Sequence, residues 1–127
     1  MYGGLPWRAN WKRWMEQSIS FNFDKIRTPL RLEADSNPGS IISEWETFAA
    51  LRLLNKPVDL IFIPHGDHPV VKAWERMTSQ QGAVDWFRFW LKDEEDPDPA
   101  KAEQYARWRE LRKLQEENEK KSVAPAN

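Results

Sequence analysis

Both histidines of this 127-residue chain, His65 and His68, sit in the short run Pro64-His65-Gly66-Asp67-His68. They follow an apolar stretch, Val58-Asp59-Leu60-Ile61-Phe62-Ile63, that is too short for a buried helix and breaks into a Pro/Gly turn. Such a stretch reads as a strand buried on both faces, with titratable groups delivered at its carboxyl end. In open α/β sheets, sites lie in the crevice beyond the carboxyl ends of the strands. Asp35 holds the same position after a second candidate strand, Thr28-Pro29-Leu30-Arg31-Leu32-Glu33-Ala34. An Asp that fixes one imidazole tautomer, with the ring acting as general base, is the orienting half of a hydrolytic triad. A turn Asp and a polar loop His are also common without any such role, so the two residues alone leave both readings open.

The nucleophile is harder to place. No cysteine is present, and Ser18, Ser20, Ser36, Ser40, Ser43, Ser79 and Ser122 fall in connectors, caps or the tail. None lies at a strand-to-helix elbow of the Gly-x-Ser-x-Gly kind, and no Gly-rich oxyanion loop is visible. His65, Asp67 and His68 could instead be metal ligands, but no further cluster completes a coordination sphere, so no metal and no cofactor are expected. With 19 basic against 20 acidic residues, the charge gives nucleic acid no purchase. No apolar run approaches the roughly 18 residues of a membrane span. The N-terminus lacks a basic segment followed by an apolar one, so no signal peptide is expected, and no compartment can be assigned. Eight Trp in so short a chain demand burial or a partner. Their helical spacing favours packing over a stacking platform for carbohydrate or nucleic acid.

The elements that must position Asp35 and His68 follow from periodicity. Trp7, Trp11 and Trp14 predict an amphipathic helix over residues 7–17, and residues 18–26 a connector packed through its aromatics. After the strand at 28–34, Asp35-Ser36-Asn37-Pro38-Gly39 is a dense turn signal. A helix from about 40 to 55 follows, with Ser43 and Glu46 as a capping box, Ser40 as a rival cap, and Ile41, Trp45, Phe48 and Ala49 facing a core. Asn55-Lys56-Pro57 stops it, and the strand at 58–63 completes a parallel, right-handed βαβ unit. Beyond His68 a short helical stretch at 71–77 precedes a stronger helix at about 80–92. There Val84, Phe87 and Leu91 share one line, and Ala83, Trp86 and Trp90 the next. Residues 93–99 form an acidic, Pro-broken hinge. Residues 100–121 form a charged helix with a thin apolar line of Tyr105, Trp108, Leu111 and Leu114, and residues 122–127 a disordered tail. Residues 1–92 then read as a partial α/β domain. Two strands make a marginal sheet, so the chain looks incomplete.

The order acid then His matches the α/β-hydrolase order of Ser, then Asp or Glu, then His. Several stretches together carry a more specific likeness. Thr28-Pro29-Leu30, the turn with Asp35, the helix ending at Asn55-Lys56-Pro57-Val58-Asp59-Leu60, and Pro64-x-x-x-His68 resemble the C-terminal end of a prolyl oligopeptidase-type (S9) serine peptidase. Gln80-Gln81-Gly82 with Asp85-Trp86-Phe87-Arg88-Phe89-Trp90-Leu91 is similar to that family's closing helix. Asp96-Pro97-Asp98-Pro99 with Tyr105-Ala106-Arg107-Trp108 is similar to a tail in one bacterial branch of it. The stretch from Pro6-Trp7 to Ser18, then Phe21-Asn22-Phe23-Asp24-Lys25, is similar to the part that precedes the penultimate strands.

The resemblance covers about residues 5–115 and implies a C-terminal fragment of an α/β-hydrolase fold. It implies peptide-bond hydrolysis by a Ser-Asp-His triad, with a peptide as substrate, His68 as the catalytic base and Asp35 as the nearest match to the acid. The family's Asp-x-x-Val is not met, since Ser36-Asn37-Pro38 follows, so Glu33 or no acid at all stand as alternatives. The serine, the oxyanion-hole residues and the family's β-propeller would lie N-terminal to residue 1, which leaves the chain inactive alone. The competing expectation is a non-catalytic interaction module. It would dock through Trp-rich helical faces onto a complementary hydrolase fragment, another protein or a second copy.

Overall fold

The computed structural model describes residues 4–64 and 71–123. Its centre is the βαβ unit: β1 (Leu30–Ala34), α2 (Pro38–Leu53) and β2 (Val58–Phe62). The two strands pair in parallel with no offset, Leu30 opposite Val58 and Ala34 opposite Phe62. The ladder is extended at both ends, where Leu30 N–H donates to Pro57 O (3.0 Å) and Ile63 N–H donates to Ala34 O (2.8 Å). Before it lie a 3-10 turn (Arg8–Asn10), helix α1 (Trp11–Gln17) and a 3-10 segment over Ser20–Lys25.

Helix α2 starts earlier than its periodicity suggests. The Asn37 side chain accepts from Gly39 N–H at 2.8 Å with Pro38 at the first helical position, so neither Ser40 nor the Ser43/Glu46 box is the cap. Asn is among the strongest N-cap residues, and Pro at N1 loses no intrahelical bond. Ser40 serves the strand instead, its Oγ accepting from Asp35 N–H at 3.3 Å. At the other end Asn55 takes a left-handed φ of 54°. Lys56 N–H then reaches back to Leu51 O at 2.8 Å, which closes the helix.

Alternation along the strands splits the sheet into two faces. Leu30, Leu32 and Val58 pack with Phe23, Phe48 and Leu51 under α2. Ile41 and Trp45, expected in that core, are exposed instead, because α2 turns only its C-terminal half onto the strands. On the other face Arg31, Glu33 and Asp59 meet α3 (Ala73–Lys92) and α4 (Ala102–Val123). The expected break before residue 80 is absent, and α3 is one continuous helix. The expected burial of β2 is also only partial, running from buried Val58 to Phe62 at 52% exposure. A two-stranded sheet cannot cover its own ends.

Helix α4 is bound more firmly than a thin apolar line implies. Trp108 and Tyr105 join Trp86 and Phe89 of α3 in one aromatic cluster, with Trp86 and Trp108 edge-on at 5.1 Å. Trp108 Nε1 donates to the buried Asp59 carboxylate of β2 at 2.6 Å. Further along, Lys101 Nζ bridges buried Asp85 (2.7 Å) and Asp96 (2.6 Å). Burial works to lower the Lys101 ammonium, but the hydrogen bonds and charges of Asp85 and Asp96 outweigh it and raise it above its usual range. The Arg112 guanidinium stacks over the Phe89 ring at 3.7 Å. Among the described residues no helix is long and apolar enough to cross a membrane.

Trp108→Phe keeps an aromatic ring but takes the indole N–H from the buried Asp59 carboxylate, leaving it Arg107 at 3.6 Å, so urea unfolding should show a loss of about 1–3 kcal/mol. Lys101→Met removes the main partner of an almost fully buried Asp85 and should cost about 3–5 kcal/mol at neutral pH. Because the native Lys101 titrates above its unfolded value, the wild-type advantage is complete below about pH 10 and fades as pH rises past it. A mutant-to-wild-type gap that widened toward pH 11 would contradict the ion-pair account.

Candidate functional site

The zero-offset register sets where chemistry could occur. Since Ala34 lies opposite Phe62, Asp35 leaves β1 level with Ile63 at the carboxyl edge of β2. Asp35 is buried, at 6% exposure. Its Oδ1 accepts from Asn37 N–H at 2.9 Å, an Asx turn that feeds directly into the Asn37 cap. The turn that starts α2 therefore also holds the Asp35 carboxylate at the strand end. His68, with His65 and Asp67, lies outside the described residues, so the pairing of Asp35 with His68 and the weaker metal reading remain expectations from sequence. Among the described residues no cluster of His, Cys, Asp or Glu could hold a metal ion.

Glu33, the alternative acid, is otherwise engaged. It pairs with Arg31, two residues back on the same face of β1, and accepts from Ser79 Oγ of α3 at 2.6 Å. A Cβ at Gly82 would meet the Arg31 guanidinium, so glycine leaves room for that group to lie against α3 there. Gly82 over Arg31 and Ser79 over Glu33 run α3 antiparallel to β1. The next inward residue of α3, Glu75, then falls toward the strand end that carries Asp35.

Glu75 is fully buried, with Lys72 Nζ at 3.3 Å from Oε1 and, among the described residues, no hydrogen-bond partner on Oε2. Reading the sequence for apolar periodicity missed this polar line. Its signal was there: Glu75, Ser79 and Gly82 fall at i, i+4 and i+7, the first half of an inward line that turns aromatic only at Trp86 and Phe89.

Glu33→Ala takes from Arg31, only 7% exposed, its carboxylate partner among the described residues and should cost about 3–5 kcal/mol in chemical denaturation. A loss below about 1 kcal/mol would mean that Arg31 does not depend on Glu33.

No family model matches the sequence. The chain is 36% identical over 112 residues to the lasso peptide isopeptidase AtxE2 of Asticcacaulis excentricus, a match that takes in 88% of this chain. Two solved structures of AtxE2 resemble it at 37% identity, each over 80% of this chain. One is the apo protein (TM-score 0.70), the other an alanine-for-serine variant with Astexin3-dC4 bound (TM-score 0.71). This chain spans 16% of the isopeptidase sequence and 15% of those structures. The α/β arrangement of one parallel strand pair with flanking helices is thus that of a segment of an α/β-hydrolase-like isopeptidase, to which this chain is similar in both sequence and fold.

Proposed function

We propose that this chain is the C-terminal part of a prolyl oligopeptidase-type (S9) serine hydrolase that cleaves peptide or isopeptide bonds. The observation that carries the reading is the buried Asp35 carboxylate at the sheet edge where the strand leading to His68 also ends. It gains weight from 36% identity to an isopeptidase. In the assembled site His68 takes the proton from a serine hydroxyl as its oxygen bonds to the carbonyl carbon. It then returns that proton to the departing amine, while Asp35 accepts the other ring N–H and fixes the tautomer. The serine and the oxyanion-hole donors come from the rest of the fold. The alanine-for-serine variant of the relative, with its ligand bound, fits a serine nucleophile. The substrate class is a peptide closed by an isopeptide bond, as the relative's name implies.

No Gly-x-Ser-x-Gly elbow occurs in the 127 residues, so the chain alone does not perform acyl transfer. A fluorophosphonate probe should leave the purified chain unlabelled, and stoichiometric labelling would overturn the assignment. Co-expressed with an AtxE2 that lacks its matching stretch, the chain should restore labelling and peptide hydrolysis. There His68→Ala and Asp35→Asn should each lower kcat by about ten-thousand-fold. A complex whose turnover is indifferent to both substitutions would remove these residues from the triad.

A second reading has its own support. Trp7, Trp11, Trp45 and Trp74 are all more than half exposed, a surface suited to an interaction module.

A further inference from the structure

Of the buried carboxylates described, Asp59 is held by Trp108 and Asp85 by Lys101, and Asp35 stands in the proposed triad. Glu75 is fully buried and has no such account. It occupies the third position of α3, after Lys72 as N-cap. A Glu there ordinarily folds back to accept the main-chain N–H of the N-cap, as in a capping box. Glu75 does not. Its described contact is Lys72 Nζ at 3.3 Å from Oε1, and Oε2 has no hydrogen-bond partner among the described residues. A buried acceptor left unmet forfeits its hydration, so native proteins either fill such a position or hold it for use. Ser79, one turn on, already donates to Glu33 at 2.6 Å. The remainder of a larger fold is not needed to cover the carboxylate, because this chain buries it by itself. That leaves the connection between β2 and α3 as the source of a donor. Glu75 lies on the line of α3 that leads from Arg31 and Glu33 toward Asp35, at the edge where this connection departs from β2.

We infer that Glu75 is a positioning residue of the proposed site, its Oε2 accepting a main-chain N–H from the connection that carries His68. A carboxylate suits that task, since hydrogen bonds to an ionised acceptor are shorter and stronger than neutral ones. The contact ties the connection to the first turn of α3. Helix α3 is in turn fastened to β1 by Ser79 on Glu33, two residues before Asp35. The base and the acid are then held relative to each other from two sides, by the level ends of the strands and by α3. Such rigidity matters because a general base must stay within hydrogen-bond reach of the proton it takes, and a small displacement is costly in rate. The inference rests on the proposed function for the use of the imidazole, and on the buried oxygen for the contact itself.

Two measurements on the full chain test it. In the complex with AtxE2 lacking the matching stretch, Glu75→Leu should lower kcat by about thirtyfold or more and leave KM within about threefold. Glu75→Gln keeps an acceptor oxygen in the same place and should recover about tenfold of that loss. Trp108→Phe, which weakens the fold away from this edge, should leave kcat within about threefold, so that lost stability alone does not imitate the effect. Amide hydrogen exchange of the chain by itself supplies a readout independent of hydrolysis. There Glu75→Leu should speed exchange of at least one amide among residues 65–70 by about tenfold, with Leu32 in the β1–β2 ladder unchanged. Should Glu75→Leu fail to fold, Glu75→Met carries the same expectations. Undiminished kcat in the leucine variant, an equal loss in the glutamine variant, or unaltered exchange at residues 65–70 overturns the inference. A wild-type complex that hydrolyses no peptide, with exchange still responding to Glu75→Leu, would sink the peptidase reading and leave the contact standing.

Discussion

The parallel pairing of β1 with β2, residue opposite residue, is the constraint on which the other elements depend. It makes the two strands end level, so that Asp35 and the segment toward His68 depart from one edge of the sheet. It also sorts the side chains. Leu30, Leu32 and Val58 meet α2, while Arg31, Glu33 and Asp59 meet α3 and α4. A slip of one residue would exchange these sets, pressing Arg31 into the Phe23–Leu51 cluster and Leu32 against Ser79. The register is therefore specified twice, by apolar matching on one face and by polar matching on the other.

The polar matching is unusual for the face of a parallel sheet. Arg31, Glu33, Asp59, Glu75 and Asp85 all lie in the layer between the sheet and α3–α4, and the last three are each less than a tenth exposed. Burying so many charges costs more than packing hydrocarbons of the same size, unless partners are held in good geometry. Here the partners come from different elements: Ser79 for Glu33, Trp108 for Asp59, Lys101 for Asp85. Each charge can thus be satisfied only when its helix is docked correctly, and the layer favours one arrangement of α3 and α4 over others.

Much of this was legible in the sequence. The turn Asp35–Gly39, the stop at Asn55-Lys56-Pro57 and the apolar run from Val58 pointed to a parallel βαβ unit, and the structure has one. The boundaries were less so. Asn37-Pro38 is both a turn signal and a strong helix start, and which role dominates depends on whether Asp35 is held at the strand end. The burial of α2 was misjudged because periodicity gives a face without saying how much of its length meets the sheet. The expected break between 77 and 80 fell on Thr78 and Ser79, where the structure keeps the helix and ties Ser79 to Glu33, a partner 46 residues away that leaves no local trace. The largest illegible part was the polar face, since pairs such as Trp108–Asp59, 49 residues apart, leave no local trace.

Gly82 has a consequence for how the sequence can vary. Glycine in mid-helix costs about 1 kcal/mol against alanine, a penalty that only the close approach of Arg31 explains here. The two positions are therefore epistatic. While the arginine stays, a methyl at residue 82 meets its guanidinium, and the end of that side chain must shift, which disturbs its pairing with Glu33. Once the arginine is lost, the glycine no longer serves anything, and alanine becomes the better helix former. Drift at this spot should pass through paired replacements, with the single alanine intermediate selected against.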